Sequence, residues 1–323
     1  MTTAALDVYL TEADSAEALR SDARHALTSV PKDLPPKWFY DAAGSELYEL
    51  ITKLPEYYPF SAEQEILRSR AGEIAAASRA THLVELGSGS SEKTRLLLNA
   101  LGEAGTLRRY LPLDVSEAAL RDAMGALTTE YPGLAVHGIV GDFTRHLSRI
   151  PADGKRLLAF LGGTVGNLRP AERSAFLRAV RDALRPGEQL LLGTGLAIEP
   201  SVMVPAYDDS QGVTAEFNRN VLRVLNRELK ADFDPEAFEH VALWDAEQEW
   251  IEMRLRARRR MTVRVSELSL NVLFADGEEL RTEVSTKFRR DGVRAELEAA
   301  RFELSEWWTD RAERFAVSLA TAR

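Results

Sequence analysis

Leu83-Val84-Glu85-Leu86-Gly87-Ser88-Gly89-Ser90-Ser91-Glu92-Lys93 is the stretch on which the fold turns. An apolar run enters a glycine turn and then a helix-forming segment. Glycines at such a turn allow positive φ and let a ligand approach the backbone, while the helix start offers unpaired N–H groups. Read alone, the turn serves equally well as plain structural punctuation. Glu92 also stands where a dinucleotide fingerprint would carry its third glycine.

The surroundings decide in favour of a ligand site. From about residue 81, short apolar runs alternate with amphipathic stretches: Leu83–Leu86, Tyr110–Val115, Leu134–Val140, Leu157–Leu161 and Gln189–Leu192 read as strands. Ser91–Leu101, Ser116–Thr129 and Pro170–Leu184 between them read as helices. Strand–helix alternation with near-continuous apolar strands predicts an α/β fold whose parallel sheet is covered on both faces. Asp114 ends the second strand, 25 residues after Gly89, close to the spacing of about 20 at which a carboxylate grips ribose hydroxyls. Gly141-Asp142-Phe143 ends the third strand and Gly162-Gly163-Thr164-Val165-Gly166-Asn167 the fourth. Each lies at the carboxyl end of a parallel strand, where open α/β sheets bind ligands. Helix capping is the bland alternative for each aspartate taken singly.

Outside this core the pattern differs. Residues 1–75 read as helical, at Ser15–Ser29 and Ala62–Ala77, around a connector rich in prolines and aromatic rings. Residues 199–245 read as helical and loop-rich. Glu249–Val265 alternates with period two, and Leu268–Phe274 with Leu280–Phe288 reads as a hairpin. Asp291–Ala300 and Glu303–Leu319 are expected to return to the first sheet. The expected division is 61–196 plus 287–323 for a Rossmann-like domain, and 1–60 plus 197–286 for a second α+β lobe formed from the N-terminus and an insertion.

Composition narrows the function classes. The chain has 323 residues and no cysteine, which excludes disulfides, thiolate metal sites and a cysteine nucleophile. A net charge of −9 argues against a protein devoted to nucleic acid. The arginine run Arg254, Arg256, Arg258, Arg259 and Arg260 reads as a solvated or acid-paired strand face that protects a sheet edge. His25, His82, His137, His146 and His240 lack metal-ligand spacing, so no metal is expected. The start of the chain lacks the pattern of a signal segment, and no apolar run is long enough to span a bilayer. A cytoplasmic monomer is the expectation, with no membrane partner.

The set Glu85-Leu86-Gly87-Ser88-Gly89, Asp114 and Asp142-Phe143 resembles the class I S-adenosylmethionine-dependent methyltransferases. More narrowly, four stretches resemble the histidine-specific Nα-methyltransferases of ergothioneine biosynthesis. These are Pro35-Pro36-Lys37-Trp38-Phe39-Tyr40-Asp41, Leu54-Pro55-Glu56-Tyr57-Tyr58-Pro59, Phe160-Leu161-Gly162-Gly163-Thr164-Val165-Gly166-Asn167 and Thr282-Glu283-Val284-Ser285-Thr286-Lys287-Phe288. The resemblance implies three successive methyl transfers from S-adenosylmethionine, as co-substrate, to the α-amine of L-histidine, giving hercynine. It implies that Tyr40, Gly87, Lys93, Asp114, Asp142 and Phe143 contact the methyl donor. It implies too that Tyr57, Gly162, Asn167, Tyr207, Met253, Glu283 and Ser285 face histidine. Asn167 and Tyr207 would hold the carboxylate, and Glu283 and Ser285 the imidazole.

The residues themselves are compatible with those roles. Glu283 and Ser285, two apart on a strand, share a face, and a carboxylate beside a hydroxyl suits a ring with one donor and one acceptor. Unaided, the same pair reads as a solvent-facing strand, Met253 as core packing, and the three tyrosines as packed rings. Lys93 could pair with the donor's carboxylate or be an ordinary helix lysine. The amine must be neutral to attack, and its proton is expected to leave through water or a tyrosine such as Tyr40. Three rival readings remain: a methyltransferase of another amine, a dinucleotide oxidoreductase, and a non-catalytic binding protein.

Overall fold

A computed structural model describes residues 4–89 and 91–323; Ser90 of the glycine turn lies outside the described residues. The chain divides into two compact units. The first holds Pro59–Leu196, Phe288–Arg323 and the described residues up to Thr11; the second holds Glu12–Tyr58 and Ala197–Lys287.

The first unit is built on an eight-stranded sheet. Its order is Ala4–Val8, Ala135–Val140, Arg109–Asp114, His82–Leu86, Arg156–Phe160, Gln189–Gly195, Phe315–Ala322 and Phe302–Thr309. The first six strands are parallel, and Phe315–Ala322 runs antiparallel to both of its neighbours. Every residue of His82–Leu86 and Arg156–Phe160 is buried, as the continuous apolar runs require of strands covered twice. Leu83, Tyr110, Leu157 and Leu191 pack on one face, and Val84, Leu111, Leu158 and Leu190 on the other. Strand order reverses between His82–Leu86 and Arg156–Phe160, and such a switch point opens a crevice at the strands' carboxyl ends.

The second unit carries a four-stranded sheet in the order Lys32–Asp33, Glu279–Thr286, Trp250–Ala257 and Phe238–Asp245. The helix Val213–Leu229 packs on it through Phe217, Val221, Val224 and Leu225. Ile251, Met253, Leu255 and Ala257 are buried in that core. The intervening Glu252, Arg254 and Arg256 face a lattice of ion pairs with Glu279, Arg281 and Asp33. Arg254 and Arg256 of the arginine run are therefore acid-paired, though their strand is interior to the sheet and not an edge.

Three expectations need correction. Ala4–Val8 is a strand and belongs with the large sheet, pairing in parallel with Val136–Val140, so the first unit gains the chain's beginning. Five residues, two of them alanine, carry too little periodicity to announce it. Phe238–Asp245 is a strand within a region read as helical and loop-rich. Leu270–Phe274 pairs backward with Met261–Val265, and Glu279–Thr286 with Trp250–Ala257, so the expected hairpin between them does not form. Adjacency in sequence suggested that hairpin; burial of Val263, Val265, Val272 and Phe274 in one cluster decides otherwise.

Candidate active site

In the first unit the glycine turn behaves as its composition requires. Gly87 and Gly89 hold φ of 66° and 47°, and a Cβ built on either meets nothing within 4 Å. The turn thus leaves room beside its backbone. Asp114 supports it from the next strand, Oδ2 accepting from Gly89 N–H at 3.0 Å and Oδ1 from Ser116 N–H at 3.0 Å. Burial raises its carboxyl above the ordinary range, and those N–H groups oppose the shift. Asp142 caps its own turn, Oδ1 accepting from Thr144 N–H and Oγ1–H at 2.7 and 2.6 Å. The ring of Phe143 lies 4.9 Å from that of Phe160 and 5.7 Å from that of Phe176.

The helix after the turn starts at Thr94, three residues later than expected, with Lys93 at its N-cap. Lys93 does not stand as an open cation: it is ion-paired with the fully buried Glu63 and lies 5.0 Å from the Phe60 ring centroid. Glu63 also accepts from Gly162 N–H at 2.9 and 3.0 Å, which fixes the glycine turn ending Arg156–Phe160. Gly193 is glycine because a Cβ there would sit 2.1 Å from Glu63 Oε1. Glu63 escaped the sequence reading. Its only signal is an acidic residue on the apolar side of a helix, between the buried Ala62 and Ile66.

Glu85 is likewise buried, receiving hydrogen bonds from Thr94 Oγ1 and Tyr110 Oη. Burial pushes its carboxyl up to about 7.

These residues fit an S-adenosylmethionine molecule. An open glycine turn, a half-buried carboxylate at the second strand end and a part-exposed ring at the third supply backbone room, an acceptor for ribose hydroxyls and an apolar face for a base.

The second unit gathers the tyrosines. Tyr40 ends the 3₁₀ turn Pro36–Phe39, just before the helix Ala42–Ile51, which Asp41 caps by accepting from Gly44 N–H at 2.8 Å. Its ring lies 5.7 Å from Tyr48 and 5.5 Å from Phe217, both edge-on, and Tyr57 lies 6.2 Å from Tyr48. Tyr48 and Phe217 were missed in sequence because each looks like ordinary helix packing. Together the rings make a wall favourable to a cation. Desolvation, then the Tyr48 phenol and the Glu283 carboxylate, lift the Tyr40 phenol above its ordinary range although the residue is 43% exposed, and burial among the other phenols does the same to Tyr57. Both are therefore protonated phenols at neutral pH.

Met253, Glu283 and Ser285 come together across one antiparallel pair, with Glu283 opposite Met253 and Ser285 opposite Ile251. Tyr207 Oη lies 2.9 Å from Ser285 Oγ. Its backbone carbonyl accepts from His240 Nε2 at 2.8 Å, while Asn218 donates to His240 Nδ1 at 2.8 Å. Thr282 Oγ1 donates to Asn218 Oδ1 at 2.7 Å, completing a buried chain from strand to Tyr207. Burial lowers the His240 pKa, consistent with a neutral imidazole carrying its proton on Nε2. The histidine that resembled no ligand is thus a satisfied core residue. Among the described residues, no cluster of His, Cys, Asp or Glu could hold a metal ion, and no helix is long and apolar enough to cross a membrane.

Gly162 and Asn167 belong to the first unit and Tyr57, Tyr207, Met253, Glu283 and Ser285 to the second.

Residues 19–322 match the family model described as histidine-specific methyltransferase, SAM-dependent. The chain is 56% identical over 318 residues to the histidine N-alpha-methyltransferase of Mycolicibacterium smegmatis, covering 98% of this chain and 99% of that one. The Mycobacterium tuberculosis protein of the same name is 55% identical, with 94% of each chain covered. Ergothioneine biosynthesis protein 1 of Schizosaccharomyces pombe is 30% identical over 71% of this chain, which spans 31% of that longer protein. The chain belongs to the family of S-adenosylmethionine-dependent, histidine-specific methyltransferases.

Proposed function

We infer that the protein transfers methyl groups from S-adenosylmethionine to the α-amine of L-histidine, three in succession, giving hercynine for ergothioneine biosynthesis. Family membership supports the donor, the acceptor and the pathway. The observation that carries the choice of substrate is the convergence of Glu283, Ser285 and Tyr207 on one face of the second unit. A single chain acting in the cytoplasm belongs to the same reading.

In this reading Gly87, Asp114, Asp142, Phe143 and Lys93 hold S-adenosylmethionine, with Tyr40 at its reacting end. Tyr57, Gly162, Asn167, Tyr207, Met253, Glu283 and Ser285 hold histidine. The bound sulfonium supplies an electrophilic methyl group. The chain's task is to align the amine, and positioning of that kind is worth roughly 7–11 kcal/mol. Asn167 and Tyr207 fix the carboxylate while Glu283 and Ser285 fix the ring. Neither end of histidine changes as methyl groups accumulate on nitrogen, so the same anchors serve all three transfers. The aromatic wall of Tyr40, Tyr48 and Tyr57 accommodates the growing methylammonium. As a protonated phenol, Tyr40 steers the amine and passes its proton toward water only while releasing its own.

Mass spectrometry of a reaction containing S-adenosylmethionine and all twenty amino acids tests this. Histidine should gain three CH₂ units and the others none. A product from a different amino acid, or none from histidine, removes the assignment.

A further inference from the structure

Lys287 follows Ser285 by two residues and is 4% exposed. Its ammonium donates to Tyr207 Oη at 2.7 Å and to Ser285 Oγ at 2.9 Å, and lies 4.7 Å from the Tyr207 ring centroid. A lysine this buried ordinarily faces a carboxylate at contact distance. Here both of its hydrogen-bond acceptors are neutral hydroxyls, which themselves lie 2.9 Å apart. Burial lowers the lysine's pKa, with Glu283 and Tyr58 acting in the opposite direction.

Counting protons shows what this triangle does. Lysine has hydrogens to give and, as an ammonium, no lone pair to offer. Each hydroxyl therefore spends a lone pair on Lys287. One of the two hydroxyls then donates to the other across their 2.9 Å contact. That leaves one O–H with no partner inside the triangle when no ligand is bound; when a ligand draws the other away, Lys287 still satisfies a lone pair on each oxygen and both O–H groups donate to the ligand. On the same strand face, Glu283 is an acceptor. The pair of functions side by side is one acceptor and one donor.

We propose that Lys287 is a specificity-determining positioning residue for the imidazole: by occupying one lone pair on each of Tyr207 and Ser285 it leaves the Tyr207 O–H to the carboxylate and the Ser285 O–H to the ring, so that with Glu283 the site reads one ring N–H and one nitrogen lone pair. A neutral imidazole satisfies both, whereas a ring lacking nitrogen offers a hydrogen bond to neither. This rests on the reading that Glu283 and Ser285 face the ring of histidine.

The test compares full-length wild type, Lys287→Met, Ser285→Ala and the double variant. The substrates are L-histidine and L-β-(2-thienyl)alanine, whose ring has similar shape but neither N–H nor nitrogen lone pair. In Lys287→Met the KM for histidine should rise about ten- to hundredfold, the range expected for a lost charge-assisted hydrogen-bond arrangement. The value of kcat and the affinity for S-adenosylmethionine should change little. Preference for histidine over the thienyl analogue should fall, and the double variant should resemble Ser285→Ala instead of compounding the losses. If Lys287→Met does not fold, Lys287→Gln keeps an N–H donor for one hydroxyl and should show the same pattern at smaller amplitude. Unchanged histidine KM and preference in a folded variant, or additive losses in the double variant, overturns the proposal. A wild-type protein that does not methylate histidine would instead overturn the functional reading beneath it.

Discussion

Glu283 lies opposite Met253 in the antiparallel ladder, whereas Arg281 lies opposite Arg254, so Thr282 is an extra residue with no partner of its own. The bulge changes which face the odd-numbered residues occupy. Arg281 points to the ion-paired face with Arg254, and its expected alternates Glu283 and Ser285 point to the face of Met253 and Ile251. Bulges beside functional sites commonly re-aim side chains in this way. Thr282 is 1% exposed and secures the kink by bonding to Asn218 Oδ1.

Thr282→Val should therefore destabilise the protein by about 1–3 kcal/mol, because Asn218 Oδ1 is left buried without that donor while the shape is kept. Chemical denaturation measures it. A variant as stable as wild type would show that the bulge holds without this bond.

Glu283→Ala should raise the KM for histidine sharply and relax selectivity toward apolar and aromatic amino acids, since the only acidic acceptor assigned to the ring is gone. A competition assay between histidine and phenylalanine reads this. Unaltered selectivity contradicts the assignment of the imidazole to Glu283.

Tyr40→Phe should slow methyl transfer about a hundred- to ten-thousandfold, the usual contribution of a side chain that relays a proton. The ring wall with Tyr48 and Phe217 is retained, so histidine binding should change far less than rate. Single-turnover rates beside calorimetric affinities separate the two. Equal rates in variant and wild type would remove the role.

Glu85 gives a pH dependence of stability. Its folded-state pKa of about 7 lies above its ordinary 4.5, so the folded protein binds the proton more tightly than the unfolded chain. Its contribution is intact below about 4.5 and is lost as pH rises toward about 7, amounting to about 3 kcal/mol at 1.36 kcal/mol per pH unit. Glu85→Gln abolishes the titration. Relative to wild type, the variant should gain stability between pH 5 and pH 8 in urea denaturation. An identical stability difference at both values would show that Glu85 does not titrate in this window.

The sequence by itself determined the central strands of the large sheet and the positions of their strand-end residues, though not the edge strand Ala4–Val8. Leu157–Leu161 is apolar throughout, and Leu83–Leu86 and Gln189–Leu192 are so but for Glu85 and Gln189, because both faces are buried; the glycines at their ends, with Asp114 and Asp142 at the neighbouring strand ends, mark where the backbone must turn and a ligand be met. It also carried the family resemblance, through motifs lying in both units. Only the tertiary structure decided that Lys93 is held by Glu63, that Asp114 braces Gly89, and that Thr282 is a bulge. Nor could sequence reveal that Lys287 bridges Tyr207 and Ser285, since Tyr207 stands 80 residues earlier in the chain. Periodicity records which side of an element is buried, because water is excluded from whole faces. The partner of a buried charge is set by side chains that meet across folded elements, and no local pattern encodes that meeting.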